Sequence, residues 1–176
     1  MTGPVLGKLE WRPAKDVPEL LAEPVREALG DIPGYAAAID PDLADTAAFC
    51  AEYDVPMAAS ANCVIVLGKR AGESTYAAVM VLATDRADVN GVIRKHLGVR
   101  KISFAAQDDA VSSTGMEYGG ITPIGLPTDW PVLVDEAVAQ AGPVVIGSGI
   151  RGSKLLVDGA ELAKLPTATV LDLALG

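Results

Sequence analysis

The stretch Ser112–Pro127, SSTGMEYGGITPIGLP, decides how the rest of the chain is interpreted. It holds four glycines and two prolines among branched apolar residues, namely Gly115, Gly119, Gly120, Gly125, Pro123 and Pro127. Glycine reaches backbone angles and approach distances that are closed to other residues, and proline fixes φ and removes a hydrogen-bond donor. Two interpretations are open: a shaped loop whose N–H and C=O groups face a ligand, or a hairpin turn or bulge between strands.

A second glycine segment, Gly147–Gly152 (GSGIRG), follows the apolar run Val144–Ile146. It lacks the Gly-Lys-Ser/Thr ending of a phosphate-binding loop, and a strand is predicted after it where that motif needs a helix. We therefore do not expect nucleotide triphosphate binding. If the two glycine segments converge on one pocket, their backbone amides can hold an ester carbonyl and stabilise the oxyanion that forms during hydrolysis. A hairpin turn is the alternative for this segment.

Composition and net charge limit the classes of protein to which the chain can belong. The 176 residues are half hydrophobic and only 5% aromatic, which suits one domain with a sheet packed against helices. The formal net charge is -9, from 23 acidic and 14 basic residues. This balance argues against broad non-specific binding of nucleic acid, which needs a basic face, but it allows a local patch to grip one end of an RNA.

The residues that usually carry metal or nucleophilic chemistry are few. Cys50 and Cys63 show no CxxC spacing and are expected to be reduced, mostly buried thiols of a cytoplasmic protein. The single histidine, His96, ends a predicted helix and is expected to cap it, so neither a metal site nor a serine triad is expected. No cofactor is expected. No signal peptide or membrane span is predicted.

Hydrophobic spacing and capping residues predict the helices. A helix over 19–29 contains Pro24, which either divides it or opens its second half. After an irregular arm over 1–18, the predicted helices cover 19–29, 40–52, 86–97, 108–114 and 160–165.

Continuous apolar runs predict the strands, of which 63–67 and 76–82 form a hairpin across a charged turn. The predicted strands cover 35–39, 63–67, 76–82, 99–105, 131–138, 144–149, 154–157 and 168–173. Because helices and short strands intermix without a regular βαβ rhythm, we expect an α/β (α+β) fold with a mixed, largely antiparallel sheet and flanking helices. The expected division is an N-terminal arm and helix over 1–30 and the main domain over 31–176.

Within the glycine-rich stretch, Ser113–Gly125 resembles the signature of the YbaK/ProX family, the aminoacyl-tRNA deacylases and editing domains associated with prolyl-tRNA synthetase. Gly119-x-x-x-Pro123 matches the Gly-x-x-x-Pro loop of that family. The resemblance runs from Tyr53 to Ala174. It is carried by further blocks in the order of the family: Cys63–Gly68, Ala77–Ala105, Val132–Asp135, Val145–Gly149 and Leu162–Leu173.

The resemblance implies the YbaK-like fold and hydrolysis of the ester of a mischarged aminoacyl-tRNA, with the terminal ribose hydroxyl assisting the attack. It implies the tRNA acceptor end as a partner, an aminoacyl-tRNA synthetase as a further one, and allows a homodimer. The expected pocket accepts a small aminoacyl group between Val64, Val66, Ile121 and the loop backbone. The expected loop and wall residues are Gly119 and Pro123 as catalytic positions, and Gly120, Ile121, Thr122, Gly147, Ser148 and Gly149 as substrate-binding positions.

One position departs from the pattern of the family. The family has a lysine opening the strand that corresponds to Cys63–Leu67, and here Asn62 stands at that place, or Cys63 if the register shifts by one. Asparagine can hydrogen-bond a ribose or phosphate oxygen but brings no charge. We expect a cation from a nearby loop to take over the charge, the candidates being Lys69, Arg70, Arg151 and Lys154. The alternative for all four is a solvated turn residue.

Asp135 lies among apolar neighbours in a predicted strand and is a candidate for orienting Asn62, an amine or a water. Its alternative is a hydrated carboxylate at a sheet edge, since a buried acid without a partner is costly. The missing lysine also leaves a second function open. The fold would then be a catalytically degenerate module that binds an aminoacyl-like or nucleotide-like ligand or a protein partner.

Overall fold

The computed structural model describes residues 4–175 of the chain. The α-helices in this range are α1 (Glu23–Leu29), α2 (Thr46–Tyr53), α3 (Arg94–Leu97), α4 (Gln107–Thr114), α5 (Glu136–Ala139) and α6 (Gly159–Leu162). Short 3-10 turns cover Ala14–Asp16, Pro18–Leu20, Pro41–Leu43 and Met57–Ala59, and a π-helical turn, Val89–Ile93, leads into α3.

The strands of the described range form three sheets. They are β1 (Arg12–Pro13), β2 (Gly34–Ala38), β3 (Ala61–Arg70), β4 (Glu73–Leu82), β5 (Arg86–Ala87), β6 (Lys101–Phe104), β7 (Val132–Asp135), β8 (Pro143–Gly147), β9 (Ser153–Asp158), β10 (Ala168–Leu171) and β11 (Ala174–Leu175). The larger sheet has the order β10-β7-β4-β3-β6, the smaller one β1-β2-β9-β8, and β11 pairs with β5.

The pairings are mostly antiparallel, as the sequence predicted. Strand β7 runs parallel to both β4 and β10, and every other pairing of named strands is antiparallel. The centre of the larger sheet is the β3–β4 hairpin, whose ten paired positions run from Ala61↔Leu82 to Arg70↔Glu73. Residues 77–82 of β4 are apolar and buried in succession, which is typical of a strand that is covered on both sides.

The two large sheets meet at one point that later positions the site. Ser60, just before β3, forms a parallel bridge with Val145 of β8. The first residues of β3 therefore lie beside the end of β8, and the edges of the two sheets are joined there.

The N-terminal segment belongs to the same cores as the rest of the chain. Val25 and Leu29 of α1 lie in the main core with residues of β4, β7 and β9, and Trp11 lies in a second core with Phe49. The division at residue 30 stays a prediction, but the described residues 4–30 pack as part of one body.

Several predicted elements differ in their bounds, and capping explains most differences. The predicted helix over 19–29 is a 3-10 turn followed by α1, with Pro24 in the first turn, which confirms that Pro24 opens the second piece. The predicted helix over 40–52 is broken at Ala44 and Asp45. The predicted strand 131–138 was wrong in its second half, because Asp135 caps the start of α5.

The helix predicted over 86–97 was wrong at its start. Arg86–Ala87 form β5, and the carboxylate of Asp88 accepts hydrogen bonds from the amides of Gly91 and Val92 to open the π-helical turn. The fold class itself is confirmed as a mixed α+β architecture with mostly antiparallel sheets. In residues 4–175 no helix has the length and apolar character that crossing a bilayer requires.

Leu29→Ala tests whether the N-terminal segment is part of the core. Leu29 is 4% exposed, and we expect the substitution to lower the free energy of unfolding by about 2–4 kcal/mol, through lost transfer energy and an unfilled cavity. Urea denaturation measures the change. Val5→Ala is the control, because Val5 is 96% exposed, and we expect a change below about 0.5 kcal/mol. Equal effects of the two substitutions would contradict the packing described here.

Candidate functional site

A cavity of about 300 Å³ opens where the two large sheets are joined. Five segments enclose it: the break before α2, the first residues of β3, the loop over 118–121, the end of β8, and β9. Of the residues predicted from the sequence, Asn62, Gly119, Ile121, Gly147 and Lys154 line it. The structure therefore brings residues from four separate parts of the chain to one hollow.

The two glycine segments touch each other beside this cavity. The amide of Gly149 donates to the carbonyl of Gly120 at 2.7 Å, and the amide of Glu117 donates to the carbonyl of Gly149 at 2.9 Å. The carboxylate of Glu117 in turn accepts from the amide of Arg151 at 2.7 Å. These bonds fix the loop of residues 117–121 against the turn of residues 147–151, which together form one wall.

Two glycines of this wall are required by close approach. A β-carbon at Gly120 would lie 2.7 Å from the carbonyl oxygen of Ile150, and one at Gly147 would lie 2.5 Å from the carbonyl oxygen of Gly120. Contacts this short to backbone atoms cannot be relieved by a side-chain rotation. The two glycines therefore allow the two backbone segments to pack directly against each other. A simple hairpin turn, the alternative given for each segment, would not require such contact.

Asn62 begins the hairpin at the mouth of the cavity. Its side-chain oxygen accepts a hydrogen bond from the hydroxyl of Thr46 at 2.5 Å. Its side-chain NH₂ group makes no hydrogen bond to any residue of 4–175 and is available to a ligand. Thr46, at the start of α2, thus orients the amide so that it presents a donor.

Lys154 supplies a charge that Asn62 lacks. Its side chain is 7% exposed, and its ammonium donates to the carbonyl of Ala44 at 2.8 Å. The ammonium also lies 5.2 Å from the ring centroid of Phe49. Lys154 belongs to β9, in agreement with the strand predicted over 154–157, and its burial shows that the alternative of a solvated turn residue was wrong.

Burial changes the acidity of this lysine. Desolvation lowers the pKa of Lys154 from 10.5 to about 8, against the opposing influence of Cys50 and Asp45, and Arg151 lowers it further. Among the described residues no carboxylate forms an ion pair with it. An ammonium has three donors, and only one is used within the described chain, so an acceptor on a ligand can bind the others.

Arg151 does not line the cavity but contacts segments that do. Its guanidinium donates to the carbonyl of Pro41 at 3.1 Å and to the carbonyl of Tyr118 at 3.0 Å, and it lies 3.8 Å from the carboxylate of Asp45. It thus ties the glycine loop to the segment before α2. Lys69 and Arg70, the other two candidate cations, are at the opposite end of β3 and do not line the cavity.

The remaining predicted residues of the loops stand behind the wall. Thr122, Pro123, Ser148 and Gly149 are buried, and the cavity lining contains none of them. The hydroxyl of Ser148 is bonded to that of Ser153 at 2.6 Å and donates to backbone carbonyls. Gly120 contributes its backbone to the contact between the loops. Their roles in substrate binding or catalysis stay predictions.

Asp135 is placed away from the cavity. Its carboxylate caps α5 through the amide of Ala137 at 3.4 Å and accepts from the amide of Leu173 at 3.1 Å. Strand β4 lies between β7 and β3, so the expectation that Asp135 orients Asn62 was wrong, and so was the alternative of a hydrated edge position. Two backbone amides satisfy this buried carboxylate.

Sequence reasoning missed several lining residues. Asp45, Thr46, Ser60, Tyr118, Val145 and Ile146 line the cavity as well. Tyr118 could have been predicted, since it is an aromatic residue next to the glycine pair. Asp45 and Thr46 could not, because they reach the cavity through a break in what the sequence predicted as one continuous helix. Of the predicted apolar wall, Val64 and Ile121 line the cavity, whereas Val66 is buried in the core below the sheet.

The side chains around the cavity supply no activated nucleophile within the described range. Burial raises the pKa of the Cys63 thiol to about 12, so it stays protonated at neutral pH. Burial also raises the pKa of Cys50. His96 lies in α3 and does not line the cavity, and the described residues contain no cluster of metal ligands. The site offers hydrogen-bond donors and one cation, which suits the binding of an acyl ester.

A loop with a Gly-x-x-x-Pro sequence beside a small cavity in an α+β fold agrees with the resemblance to the aminoacyl-tRNA editing domains that the sequence showed. The model of the aminoacyl-tRNA editing domain family matches residues 40–165, and the chain belongs to this family. The resemblance stated from the sequence is thereby confirmed.

Two of the solved structures that are similar to this fold match over most of the chain. One is a protein described, provisionally, as a trans-editing enzyme for prolyl tRNA synthetase. It has a TM-score of 0.73 and 21% identity, over 88% of this chain and 97% of that chain. The other is the hypothetical protein APE2540, with a TM-score of 0.76 and 23% identity over 87% of this chain and 100% of that chain. At this level of sequence identity, the two structural similarities show only that the fold is shared.

Gly120→Ala tests the contact between the two loops. Because the new methyl group would meet the backbone of Ile150, we expect the free energy of unfolding to fall by about 1–3 kcal/mol, measured by chemical denaturation. Gly152→Ala is the matched control, since the nearest atom to its new methyl group would be Cγ of Pro41 at 4.0 Å. If Gly120→Ala were as stable as the control, the close packing of the loops would be refuted.

Lys154→Met tests the burial of the ammonium by its pH dependence. The pKa of Lys154 is about 8 in the folded protein and 10.5 in the unfolded chain, so the unfolded chain binds more protons between these values. The free energy of unfolding of the wild type therefore rises with pH across this window, relative to the variant, by on the order of 3 kcal/mol.

Denaturation curves at pH 7, 8, 9 and 10 measure this difference. Cys63 is not coupled to Lys154, so its titration largely cancels in the comparison. Cys50 is coupled to Lys154, so both proteins carry Cys50→Ala in this measurement. Parallel pH curves for the wild type and Lys154→Met would show that the ammonium is solvated in the folded state.

Proposed function

We propose that the protein hydrolyses the ester bond of a tRNA mischarged with a small amino acid. The observation that carries this proposal is the joint presence of Asn62, Gly119 and Lys154 around one cavity of about 300 Å³. This volume lies at the lower end of the range for ligand sites, about 300–1,000 Å³. A bulky aminoacyl group is excluded by size, which is the logic of a second sieve.

Four groups around the cavity match the parts of an aminoacyl ester. The amide of Gly119 makes no hydrogen bond to a residue of 4–175, and with the Lys154 ammonium it can stabilise the negative charge that develops on the carbonyl oxygen. The carboxylate of Asp45 faces the same hollow and can pair with the α-ammonium of the amino acid. The Asn62 NH₂ group can donate to an oxygen of the terminal ribose.

The chemistry needs no side-chain nucleophile. The oxygen of a bound water attacks the ester carbonyl, assisted by the neighbouring ribose hydroxyl, as the resemblance to the family implies. The bond between the carbonyl carbon and the ribose oxygen then breaks, and the ribose oxygen takes a proton. The products are the free amino acid and the uncharged tRNA. The chain contributes binding, orientation and charge stabilisation, which preorganised donors provide most effectively.

The test is the release of amino acid from alanyl-, cysteinyl- and seryl-tRNA, with phenylalanyl-tRNA as the bulky comparison. We expect turnover of at least one small substrate and none of the bulky one. Lys154→Met is expected to lower kcat/KM about 100-fold or more, because it removes a charge next to the developing oxyanion. Asn62→Ala is expected to lower it about tenfold, the value of one hydrogen bond.

The pH profile separates charge stabilisation from a merely structural role of Lys154. Because its pKa is about 8, the ammonium is lost above this pH, and the enzymatic rate of the wild type should fall there once spontaneous ester hydrolysis is subtracted. Turnover of all four substrates at one rate, or no turnover of any, would contradict the proposal.

A second candidate, a binding module without hydrolysis, is favoured by one observation. The backbone amides of Gly120 and Gly149 donate hydrogen bonds within the wall. Fewer amides of the two glycine segments are therefore free to bind an oxyanion than the sequence analysis expected. Asn62→Lys separates the two candidates. Deacylation that appears only in this variant would favour the degenerate module, whereas loss of an existing activity would favour an enzyme that works through Asn62.

A further inference from the structure

Basic residues are concentrated at the end of the molecule that is farthest along β3 from the cavity. Six of the 14 lysines and arginines lie there, at the end of β3, in α3, and just before and at the start of β6. We call this surface the basic patch, and its residues are Lys69, Arg70, Arg94, Lys95, Arg100 and Lys101. The chain as a whole carries a formal charge of -9, so the patch has the opposite sign to its surroundings.

Within residues 4–175 the basic patch is not neutralised by ion pairs. The ion pairs of this range are Arg151–Asp45 and Lys164–Glu161, and neither includes a patch residue. Glu73 stands opposite Arg70 in the hairpin register but forms no ion pair with it. The carboxylate of Asp88 is engaged by the amides of Gly91 and Val92.

The arrangement of the patch costs free energy. Lys69 of β3 and Lys101 of β6 are direct partners across the antiparallel pair, and both side chains are exposed. Like charges placed directly opposite each other in a sheet are destabilising. Nothing within the described chain compensates this repulsion, whereas a bound polyanion would convert it into attraction.

The patch also has the shape of a binding surface. Lys69, Arg94, Arg100 and Lys101 line a groove of about 640 Å³ together with the polar side chains Asn90 and Ser103. Lys69, Arg100 and Lys101 line a second groove as well, which reaches Arg70 and Ser74. The cations therefore border two adjoining hollows and can approach a chain of negative charges from several sides.

We propose that the basic patch binds the phosphate backbone of the RNA whose acylated end enters the cavity. This inference rests on the proposed function and names how its substrate is held. Lys69 lies six positions along β3 from Cys63 at the cavity, which is a distance of about 20 Å at the rise of an extended strand. An amino acid or a single nucleotide in the cavity cannot reach the patch, so only an elongated polyanion occupies both.

The test measures binding and does not depend on catalysis. Fluorescence anisotropy with 5′-labelled, uncharged tRNA gives the Kd between 50 and 200 mM salt for the wild type and for Lys69→Gln/Lys101→Gln. For two lost phosphate contacts we expect the slope of log Kd against log salt to fall by about 2. The affinity at the low-salt end should fall by about tenfold or more.

The matched control is Lys15→Gln/Arg26→Gln, which removes the same charge from exposed positions outside the patch and the cavity. We expect it to bind tRNA within about twofold of the wild type, since it removes no phosphate contact. If both double variants weaken binding equally, affinity follows net charge and the proposal is overturned. An unchanged Kd and slope in the patch variant overturns it as well.

A second readout separates this proposal from the proposed function. The patch variant should hydrolyse 3′-alanyl adenosine, which has no phosphate backbone, at the rate of the wild type. Loss of that activity in the patch variant would show that the substitutions damage the cavity, which contradicts a separate binding surface. If the wild type hydrolyses no ester, the proposed function fails, and the tRNA-binding measurements still decide the role of the patch.

Discussion

The site depends on the direct backbone contact between two glycine segments that are far apart in sequence. The hydrogen bond from the amide of Gly149 to the carbonyl of Gly120 exists only because neither Gly120 nor Gly147 carries a β-carbon at the point of contact. This packing makes a wall of main chain, which is rigid and cannot be reshaped by side-chain rotation. The cavity in front of it is small because the wall stands close to β3.

The rest of the chain holds this wall in place. The carbonyl of Ser148 accepts from the amide of Ala22 at 3.1 Å, so the segment that leads into α1 supports the wall from behind. Arg151 ties its front to the segment before α2. The bridge between Ser60 and Val145 joins the two sheets beside it. The N-terminal residues thus contribute to the site although they lie outside the matched family region, which starts at residue 40.

Charge is arranged in the opposite way at the two ends of β3. At the cavity a single buried ammonium, Lys154, lies near neutral donors and the carboxylate of Asp45, and the low polarity that lowers its pKa also strengthens its interaction with a developing negative charge. At the far end six cations lie at the surface, five of them exposed and Arg94 half-buried, and there each interaction is weak and only their number gives affinity. The first arrangement suits chemistry at one atom, and the second suits a long, repetitive ligand.

Local sequence alone determined the class of fold, the β3–β4 hairpin, most helices and the importance of the two glycine segments, because apolar periodicity, caps and glycine act over a few neighbouring residues. Asn62, Gly119, Ile121, Gly147 and Lys154, which were selected with the help of the resemblance to the family, line one cavity, and their roles there stay predictions. Only the tertiary structure decided that Lys154 is buried and that Asp135 is a helix cap two strands away. It also decided that Asp45 and Thr46 complete the cavity. These outcomes depend on which strands become neighbours and on what covers them, and sheet order is set by packing between distant segments, not by local propensity.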